Sequence, residues 1–270
     1  MSALQKPTGN AGDAVLYSLS DKGVVTISLN QPDTRNAIND ELLAGLMAAL
    51  DRAEHESAAR CVVLTSTHDK VFSAGGDLKG MAATETVVTK HIRNGSMPDL
   101  VHAIVSMKVP VLCALNGHAL AGGFGLVMAC DLVIAKQGVR IGTPEINVGV
   151  FPFMISALMQ RNIPRKRMSE MIFLGDQMSA EEAQSLGFIN RVVAPSEFAE
   201  TVRDWSERLA SKSPLLLKLG KKALFEQQDL ALMPALGLLQ HYLTLAQSTA
   251  DVKEGVAAFL EKRAPVWSGA

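Results

Sequence analysis

One glutamate stands apart from the other acidic residues because of its neighbours. Glu145 follows Pro144 within residues 140–149, RIGTPEINVG, among apolar side chains. Partial burial raises the pKa of a carboxyl group toward neutrality, and a base with such a pKa is suited to proton transfer. The alternative is a structural loop carboxylate that forms an ion pair with a nearby cation such as Arg140.

Two pairs of glycines have the chemistry to accompany such a base. Gly75-Gly76 and Gly122-Gly123 each follow an apolar run that predicts a buried strand. Glycine leaves backbone N–H groups unshielded, and a helix N-terminus carries a partial positive charge of about half a unit. If both turns face one point they form an oxyanion hole, in which each donor is worth roughly 3–4 kcal/mol. The alternative is that these glycines serve only close packing.

Phosphate-binding motifs do not fit the second turn. Gly117 and Gly122 have the first spacing of a P-loop, but Gly123-Phe124 stands where Lys and Ser/Thr should follow. A G-x-G-x-x-G dinucleotide turn fails as well, because residues 126–128 are Leu-Val-Met. The sequence contains no H-x-x-x-H pair and no G-x-S-x-G elbow, which argues against zinc and serine-hydrolase chemistry.

The composition is that of an ordinary globular protein. Of 270 residues, 48% are hydrophobic and 20% charged, and a net charge of −1 indicates no basic surface for nucleic acid or an anionic membrane. Residues 1–13 lack the apolar core of a signal peptide, and no apolar run is long enough to span a membrane. The three cysteines show no metal spacing. We therefore expect a cytoplasmic protein without a bound metal.

Hydrophobic periodicity predicts the elements that must hold these residues. The predicted strands are 24–29, 61–65, 111–115, 132–135 and 139–141. The predicted helices in this part of the chain are 39–56, 89–107 with an interruption near 95–98, and a helix that follows strand 111–115 through a tight connection. This alternation is typical of an α/β core with its helices outside.

Residues beyond about 153 are predicted to be mostly helical. The predicted helices are 164–174, 179–186, 196–212, 214–228, 234–248 and 251–262. Ser179 precedes Glu181 and Glu182, which is the cap-then-acid pattern of a helix start. The composition changes at 193–195, and this predicts a core at 1–195 that holds the site and a helical region at 196–270.

Three segments resemble a known family. FSAGGDLKG at 72–80, NGHALAGGFGL at 116–126 and GTPEINVGVFP at 142–152 resemble motifs of the crotonase superfamily, also called the enoyl-CoA hydratase/isomerase family. The resemblance covers most of the chain and includes GFIN at 187–190 and FLEKR at 259–263. Because three ordered motifs match, convergence of the two glycine turns becomes the favoured hypothesis.

The resemblance implies a spiral of ββα units with a helical C-terminal trimerisation region, in a homotrimer or homohexamer. It implies an acyl-CoA substrate whose thioester oxygen accepts hydrogen bonds from the N–H groups of Gly76 and Gly122. Coenzyme A would enter as part of the substrate, without a separate cofactor. The residues that the resemblance assigns to binding of the acyl-CoA, the last two often from a neighbouring subunit, are Arg35, Ala74, Asp77, Leu78, Lys79, Gly125, Phe259 and Lys262.

The chain departs from the family pattern at one functional position. Hydratases of the family hold a water between two glutamates, and this chain matches one of them with Glu145 but has Gly125 in place of the other. Glycine can neither hold nor deprotonate water, so the two-acid hydration is disabled. One carboxylate is enough to move a proton between carbons, which favours the shift of a 3-enoyl-CoA to a 2-enoyl-CoA. Phe151 and Phe153 would narrow the acyl pocket or exclude water.

Two alternatives remain open. The first is a 2-enoyl-CoA hydratase of fatty-acid degradation that uses a substitute acid, such as Asp77, or a weakly held water. The second is a non-catalytic acyl-CoA-binding subunit, and the presence of Glu145 counts against it. The resemblance also leaves open the decarboxylase, thioester hydrolase and ring-cleaving reactions of the family.

Overall fold

The structure, a computed structural model, describes residues 13–77, 80 and 84–270. Leu78 and Lys79, which the family resemblance assigns to substrate binding, lie outside the described residues. The strands are β1 (Val15–Leu19), β2 (Val24–Leu29), β3 (Ala37–Ile38), β4 (Cys61–Ser66), β5 (Val71–Ser73), β6 (Gly75–Gly76), β7 (Val111–Leu115), β8 (His118–Leu120), β9 (Leu132–Lys136), β10 (Arg140–Gly142), β11 (Gln177–Ser179) and β12 (Arg191–Val193).

The helices of the described residues surround these strands. The α-helices are α1 (Asp40–His55), α2 (Val87–Val105), α3 (Gly122–Ala129), α4 (Phe153–Asn162), α5 (Arg165–Leu174), α6 (Ala180–Ser185), α7 (Phe198–Ala210), α8 (Pro214–Gln227), α9 (Leu232–Gln247) and α10 (Ala250–Leu260). Two short 3-10 helices span Pro32–Thr34 and Pro144–Val148. Within the described ranges, no helix combines the length and the apolar character needed to cross a membrane.

The strands form three sheets. The six-stranded sheet has the order β1-β2-β4-β7-β9-β12, in which only β1 and β2 are antiparallel. The four-stranded sheet has the order β11-β10-β8-β5, in which β8 is parallel to both of its neighbours. A small parallel sheet joins β3 to β6.

The chain repeats one path through these sheets. β7 lies in the six-stranded sheet, β8 lies in the four-stranded sheet, and α3 follows. β9 and β10 repeat this path before α4, and β2, β3 and α1 follow a similar path through the small sheet. The fold is therefore a spiral of ββα units, and the predicted α/β class is confirmed.

The six-stranded sheet is buried on both faces. Side chains of β4 alternate between two hydrophobic clusters, with Val62 and Leu64 on one face and Cys61 and Val63 on the other. The second face is covered by α7, whose Val202 is fully buried. Strands buried on both faces have continuous apolar sequences, and this explains why β4 and β7 could be predicted from sequence alone.

The predicted elements agree with the structure except at two places. The interruption near residues 95–98 is wrong, because α2 continues through Pro98. Leu100 and Ile104 bury the second half of α2 against the core, and this packing outweighs the poor helical propensity of proline. The predicted tight connection before α3 is also wrong, because His118–Leu120 forms β8 between β5 and β10.

A lysine of α8 joins the helical region after residue 195 to the core. Lys221 of α8 is 8% exposed, and its Nζ donates to the carboxylate of Asp131 at 2.6 Å and to the carbonyl oxygens of Ile104 and Val109 at 3.0 and 3.4 Å. The same Asp131 oxygen accepts the N–H of Val111 at 2.7 Å. The division into two domains at residue 195 stays a prediction.

This lysine provides a test of how α8 is held. Replacing Lys221 with methionine should lower the free energy of unfolding by about 2 kcal/mol, because several charge-assisted hydrogen bonds are lost at once. Lys222, the next residue, is 64% exposed, and its Nζ forms a long, exposed ion pair with Glu226 at 3.7 Å. Lys222→Met should therefore change the free energy of unfolding by less than about 0.5 kcal/mol. Urea unfolding of both variants measures the difference. Equal losses would show that Lys221 does not anchor α8.

Candidate active site

The structure brings the two glycine turns into contact. Gly75 has a φ of +93°, and a β-carbon at this position would lie 2.5 Å from the β-carbon of Ala121 and 3.2 Å from the nitrogen of Gly122. A β-carbon on Gly122 would lie 3.7 Å from the nitrogen of Gly76. Only glycine at Gly75 allows this approach, which brings the backbone of Gly76 close to that of Gly122.

The start of α3 is left open for an acceptor. Ala121, the N-cap residue, has φ 49° and ψ −128° and provides no side-chain hydrogen bond to the helix. A left-handed φ in a residue other than glycine costs about 1–2 kcal/mol. It is held here because the Ala121 N–H donates to the Gly142 carbonyl at 2.9 Å while the Ala121 carbonyl accepts the N–H of Gly125 at 3.1 Å. The first N–H groups of α3 therefore remain available to an external oxygen.

A buried polar network shapes the Gly75-Gly76 turn, and this network was not predicted from the sequence. The Ser73 hydroxyl donates to the carbonyl of Asn36 at 2.7 Å and accepts the N–H of Gly75 at 3.2 Å. The Asn36 amide donates to the Phe72 carbonyl at 2.9 Å. Asn36 has a φ of 52°, which asparagine tolerates better than most residues, so its position after a Pro-Asp turn was the available signal. The carbonyl of Ser73 also explains Gly123, whose β-carbon would lie 2.7 Å from it.

Glu145 lies in the 3-10 helix Pro144–Val148 and is half-buried. Its Oε2 is buried and has no hydrogen-bond partner among the described residues. Burial raises the pKa of this carboxyl above its ordinary value, and a hydrogen bond from its own backbone offsets part of the increase. Arg140 instead donates to the carbonyl of Gln177 at 2.9 Å. The predicted direction of the pKa is thus confirmed, and the alternative ion pair with Arg140 is not formed.

The backbone places this carboxylate near the open end of α3. Gly142 pairs with Leu120 in the four-stranded sheet, and its carbonyl accepts the N–H of Ala121. Glu145 follows Gly142 by three residues, so its Cα lies within about 11 Å of the Gly142 Cα. The backbone of Glu145 and the first residues of α3 therefore belong to one region of the molecule.

The neighbours of Gly125 are apolar. Gly125 lies inside α3, and a β-carbon there would lie 3.2 Å from the methyl group of Met97 and 3.4 and 3.5 Å from Cγ1 and Cγ2 of Ile155. Asp77, the candidate substitute acid, follows Gly76 directly, and its carboxylate accepts the N–H of Gly80 at 3.2 Å. The side chains closest to Gly125 cannot hold a water as a second glutamate would.

The other predicted binding residues lie in two places. Arg35 and Ala74 adjoin the first glycine turn, since the Ala74 N–H donates to the Arg35 carbonyl at 3.0 Å. Phe259 lies on α10 with 82% of its surface exposed, and Lys262 follows at a φ of 57°. Phe153 is 75% exposed, and its ring centre lies 4.8 Å from that of Phe151.

No metal site accompanies these residues in the part of the chain that the structure describes. There, no group of three or more histidine, cysteine, aspartate and glutamate side chains could hold a metal ion. The groups that could bind a ligand at the glycine turns are backbone N–H groups and a carboxylate, which suit an oxygen anion and a proton respectively.

Comparisons with known proteins identify the family of this chain. The family model described as enoyl-CoA hydratase/isomerase matches residues 20–270. The chain is 34% identical to a putative enoyl-CoA hydratase of Thermus thermophilus over 91% of this chain and 98% of that protein. It is 32% identical to 2,3-dehydroadipyl-CoA hydratase of Escherichia coli over 91% and 95%.

Solved structures share the fold. The crystal structure of an enoyl-CoA hydratase from Mycobacterium smegmatis matches with a TM-score of 0.91 and 32% identity, over 94% of this chain and 98% of that chain. An enoyl-CoA hydratase from Bacillus anthracis matches with a TM-score of 0.90 and 30% identity, over 95% and 100%. The chain belongs to the enoyl-CoA hydratase/isomerase family of enzymes, the crotonase superfamily.

Proposed function

We propose that this enzyme converts 3-enoyl-CoA to 2-enoyl-CoA, with Glu145 as the catalytic base and acid and with Gly76 and Gly122 as the oxyanion hole. The observation that carries the proposal is the apolar surrounding of Gly125, whose nearest neighbours are Met97 and Ile155. Hydration needs a group that activates water at this position, whereas isomerisation needs a single carboxylate that takes up and returns one proton.

The reaction balances without another reactant. The Glu145 carboxylate removes a proton from C2 of the 3-enoyl thioester. The C–H electron pair forms a C1=C2 double bond, and the π pair of the thioester carbonyl moves to its oxygen, which gives the enolate; this pair returns to re-form the carbonyl in the next step. The N–H groups of Gly76 and Gly122 donate to this oxygen, and the partial positive charge of the α3 N-terminus stabilises its negative charge. The protonated Glu145 then gives the proton to C4, the C2=C3 double bond forms and the C3=C4 double bond is lost.

The environment of Glu145 suits this step. A C2 proton of a thioester is weakly acidic, so a base is more effective when its own pKa lies closer to neutrality. Burial raises the pKa of Glu145 in this direction. Oε2 has no hydrogen-bond partner among the described residues, so no protein donor there competes for the proton that this oxygen would accept.

Binding of the acyl-CoA is assigned to residues of two subunits. We propose that Arg35, Ala74, Asp77, Leu78, Lys79 and Gly125 contact the substrate within one subunit and that Phe259 and Lys262 contact the CoA bound to a neighbouring subunit. Coenzyme A enters as part of the substrate. The double-bond shift transfers no electrons to an acceptor, so its chemistry calls for no separate cofactor.

The assembly proposed is a homotrimer or a homohexamer. The C-terminal helices expose many large apolar side chains, among them Leu232, Met233 and Leu243 on α9 and Phe259 and Leu260 on α10. Such surfaces are expected to be covered in solution. Light scattering of the purified protein would give the subunit number, and a monomer would overturn this proposal.

A 2-enoyl-CoA hydratase is the second candidate. The observation in its favour is that the relatives at 32–34% identity are named hydratases. In this chain it would need a substitute for the acid that Gly125 cannot provide, and Asp77 is the nearest candidate along the first glycine turn.

Two substrates in separate tubes distinguish the candidates. Purified enzyme should convert 3-hexenoyl-CoA to the conjugated 2-enoyl thioester, with a gain of ultraviolet absorbance, faster than it removes the double bond of crotonyl-CoA. Faster loss of the crotonyl double bond would support the hydratase instead. Turnover of neither thioester would favour an acyl-CoA-binding subunit.

A further inference from the structure

One methionine of α2 contacts the open end of α3. The methyl group of Met97 lies 3.7 Å from the position of a β-carbon on Gly122 and 3.2 Å from that of a β-carbon on Gly125. These two glycines are three residues apart and therefore lie on the same face of α3. A single methyl group thus spans the helix face between the oxyanion donor and the position of the missing acid.

Two further apolar side chains complete this surface. Cδ1 of Ile38 lies 3.1 Å from the β-carbon position of Gly122, and Ile155 contacts that of Gly125 at 3.4 Å. An ordered water needs about 2–4 polar partners, and neither a thioether nor an isoleucine side chain provides a strong one. A charged acyl group would likewise lose its hydration here without gaining a partner.

Arg93, one helical turn before Met97 on α2, helps to fix the position of Met97. Arg93 forms an ion pair with Glu85 at 2.8 Å and donates to the carbonyl of Gly80 at 3.0 Å. Because residues four apart share one face of a helix, this anchor holds the Met97 face of α2 toward the glycine turns. One turn after Met97 the buried Leu100 and Ile104 hold the rest of the helix.

We infer that Met97 is a specificity-determining residue of this site: its methyl group keeps water from the reacting carbons and selects an apolar acyl group over a charged one. The inference rests on the proposed acyl-CoA site. Met97 has this role, rather than Ile155 or Ile38 alone, because its methyl group is among the nearest described atoms to the β-carbon positions of both Gly122 and Gly125, whereas each isoleucine is among those of one glycine.

The test compares two half-buried methionines on different helices. Met97→Ala should lower the preference for 3-hexenoyl-CoA over a 3-enoyl-CoA of the same length with a terminal carboxylate, expressed as the ratio of their kcat/KM values, by at least about tenfold, since loss of a few methylene-sized groups changes selectivity by this amount. Met47→Ala is the control: it removes the same atoms from α1, and Met47 is not among the nearest neighbours of the two glycines. Its ratio should stay within about twofold of the unchanged enzyme. Chromatography of the acyl-CoA products measures both ratios.

A second variant asks whether Met97 occupies the place of the missing acid. In Gly125→Glu the new β-carbon would lie 3.2 Å from the Met97 methyl group, whereas Met97→Ala/Gly125→Glu removes this contact. Hydration of crotonyl-CoA should therefore be at least about tenfold faster with the double variant than with Gly125→Glu alone. Equal rates would contradict the inference.

A binding measurement separates this inference from the proposed reaction. The ratio of the Kd for succinyl-CoA to the Kd for butyryl-CoA, measured by calorimetry, requires no turnover. Met97→Ala should reduce this ratio by at least about tenfold, and Met47→Ala should leave it unchanged. If the isomerase assay fails but this ratio falls, the proposed reaction is wrong and the role of Met97 stands. An unchanged ratio in a Met97→Ala protein that melts as one cooperative unit would overturn the inference.

Discussion

Replacing Glu145 with glutamine should reduce kcat/KM for the acyl-CoA substrate by about 10²–10⁴-fold, which is the usual contribution of a general acid or base. Glutamine has nearly the same shape but cannot accept a proton from C2, so the fall should appear in kcat with little change in KM. Steady-state kinetics with 3-hexenoyl-CoA measures both constants. Glu145 should also be required for crotonyl-CoA if that substrate is turned over.

The control for this variant is another glutamate at a surface position. Glu197 is exposed and immediately precedes α7. Glu197→Gln should keep kcat/KM within about twofold of the unchanged enzyme. Full activity of Glu145→Gln on every acyl-CoA tested would end the assignment of Glu145 as the proton carrier.

The raised pKa of Glu145 makes the same variant informative about pH. The base must be ionised to act, so kcat/KM should rise with pH through a value above the ordinary pKa of glutamate, and Glu145→Gln should lack this rise.

The same raised pKa has the opposite effect on stability, because the folded protein loses stability as the pH rises and Glu145 ionises. A folded-state pKa above the unfolded value contributes stability below the unfolded pKa that is lost as pH rises through the folded pKa. Glu145→Gln should therefore melt at a higher temperature than the unchanged protein at neutral pH, by a margin that narrows in acid.

Replacing Gly75 with alanine should lower kcat by about 10²–10³-fold, the usual result of losing one oxyanion-hole donor. The new β-carbon would lie 2.5 Å from the β-carbon of Ala121 and 2.7 Å from the carbonyl oxygen of Leu120. These are atoms of the backbone or fixed to it, so the two turns must separate and the N–H groups of Gly76 and Gly122 can no longer meet one oxygen. Kinetics and thermal unfolding of the same preparation measure the two effects.

Gly138 provides a control with the same backbone requirement. Its φ is +83°, close to the +93° of Gly75, but a β-carbon there would meet no atom within 4 Å. Gly138→Ala should therefore lower the free energy of unfolding by only about 1–2 kcal/mol, the cost of alanine in a left-handed conformation, and should retain full kcat. If Gly75→Ala were as active as Gly138→Ala, the contact between the two turns would not be needed for catalysis.

Most of the elements that build this fold could be predicted from the sequence. In α1, Leu42, Leu46 and Leu50 recur at helical spacing and are buried, and the Asn39 side chain accepts the N–H of Leu42 at 2.8 Å. Periodicity and capping act between residues a few positions apart, so a linear sequence contains them. The same local information marked the two glycine turns and Glu145.

The sequence by itself determined which residues can do the chemistry: two unshielded glycine turns, one carboxylate among apolar neighbours, and no acid at Gly125. Only the tertiary structure decided what surrounds them. The contact between Gly75 and Gly122, the insertion of β8 between β5 and β10, and the methyl group of Met97 beside Gly125 all join segments distant along the chain. Hydrophobic periodicity shows that a strand or helix is buried but not which remote segment covers it, because that choice is made when all the strands pair and pack together.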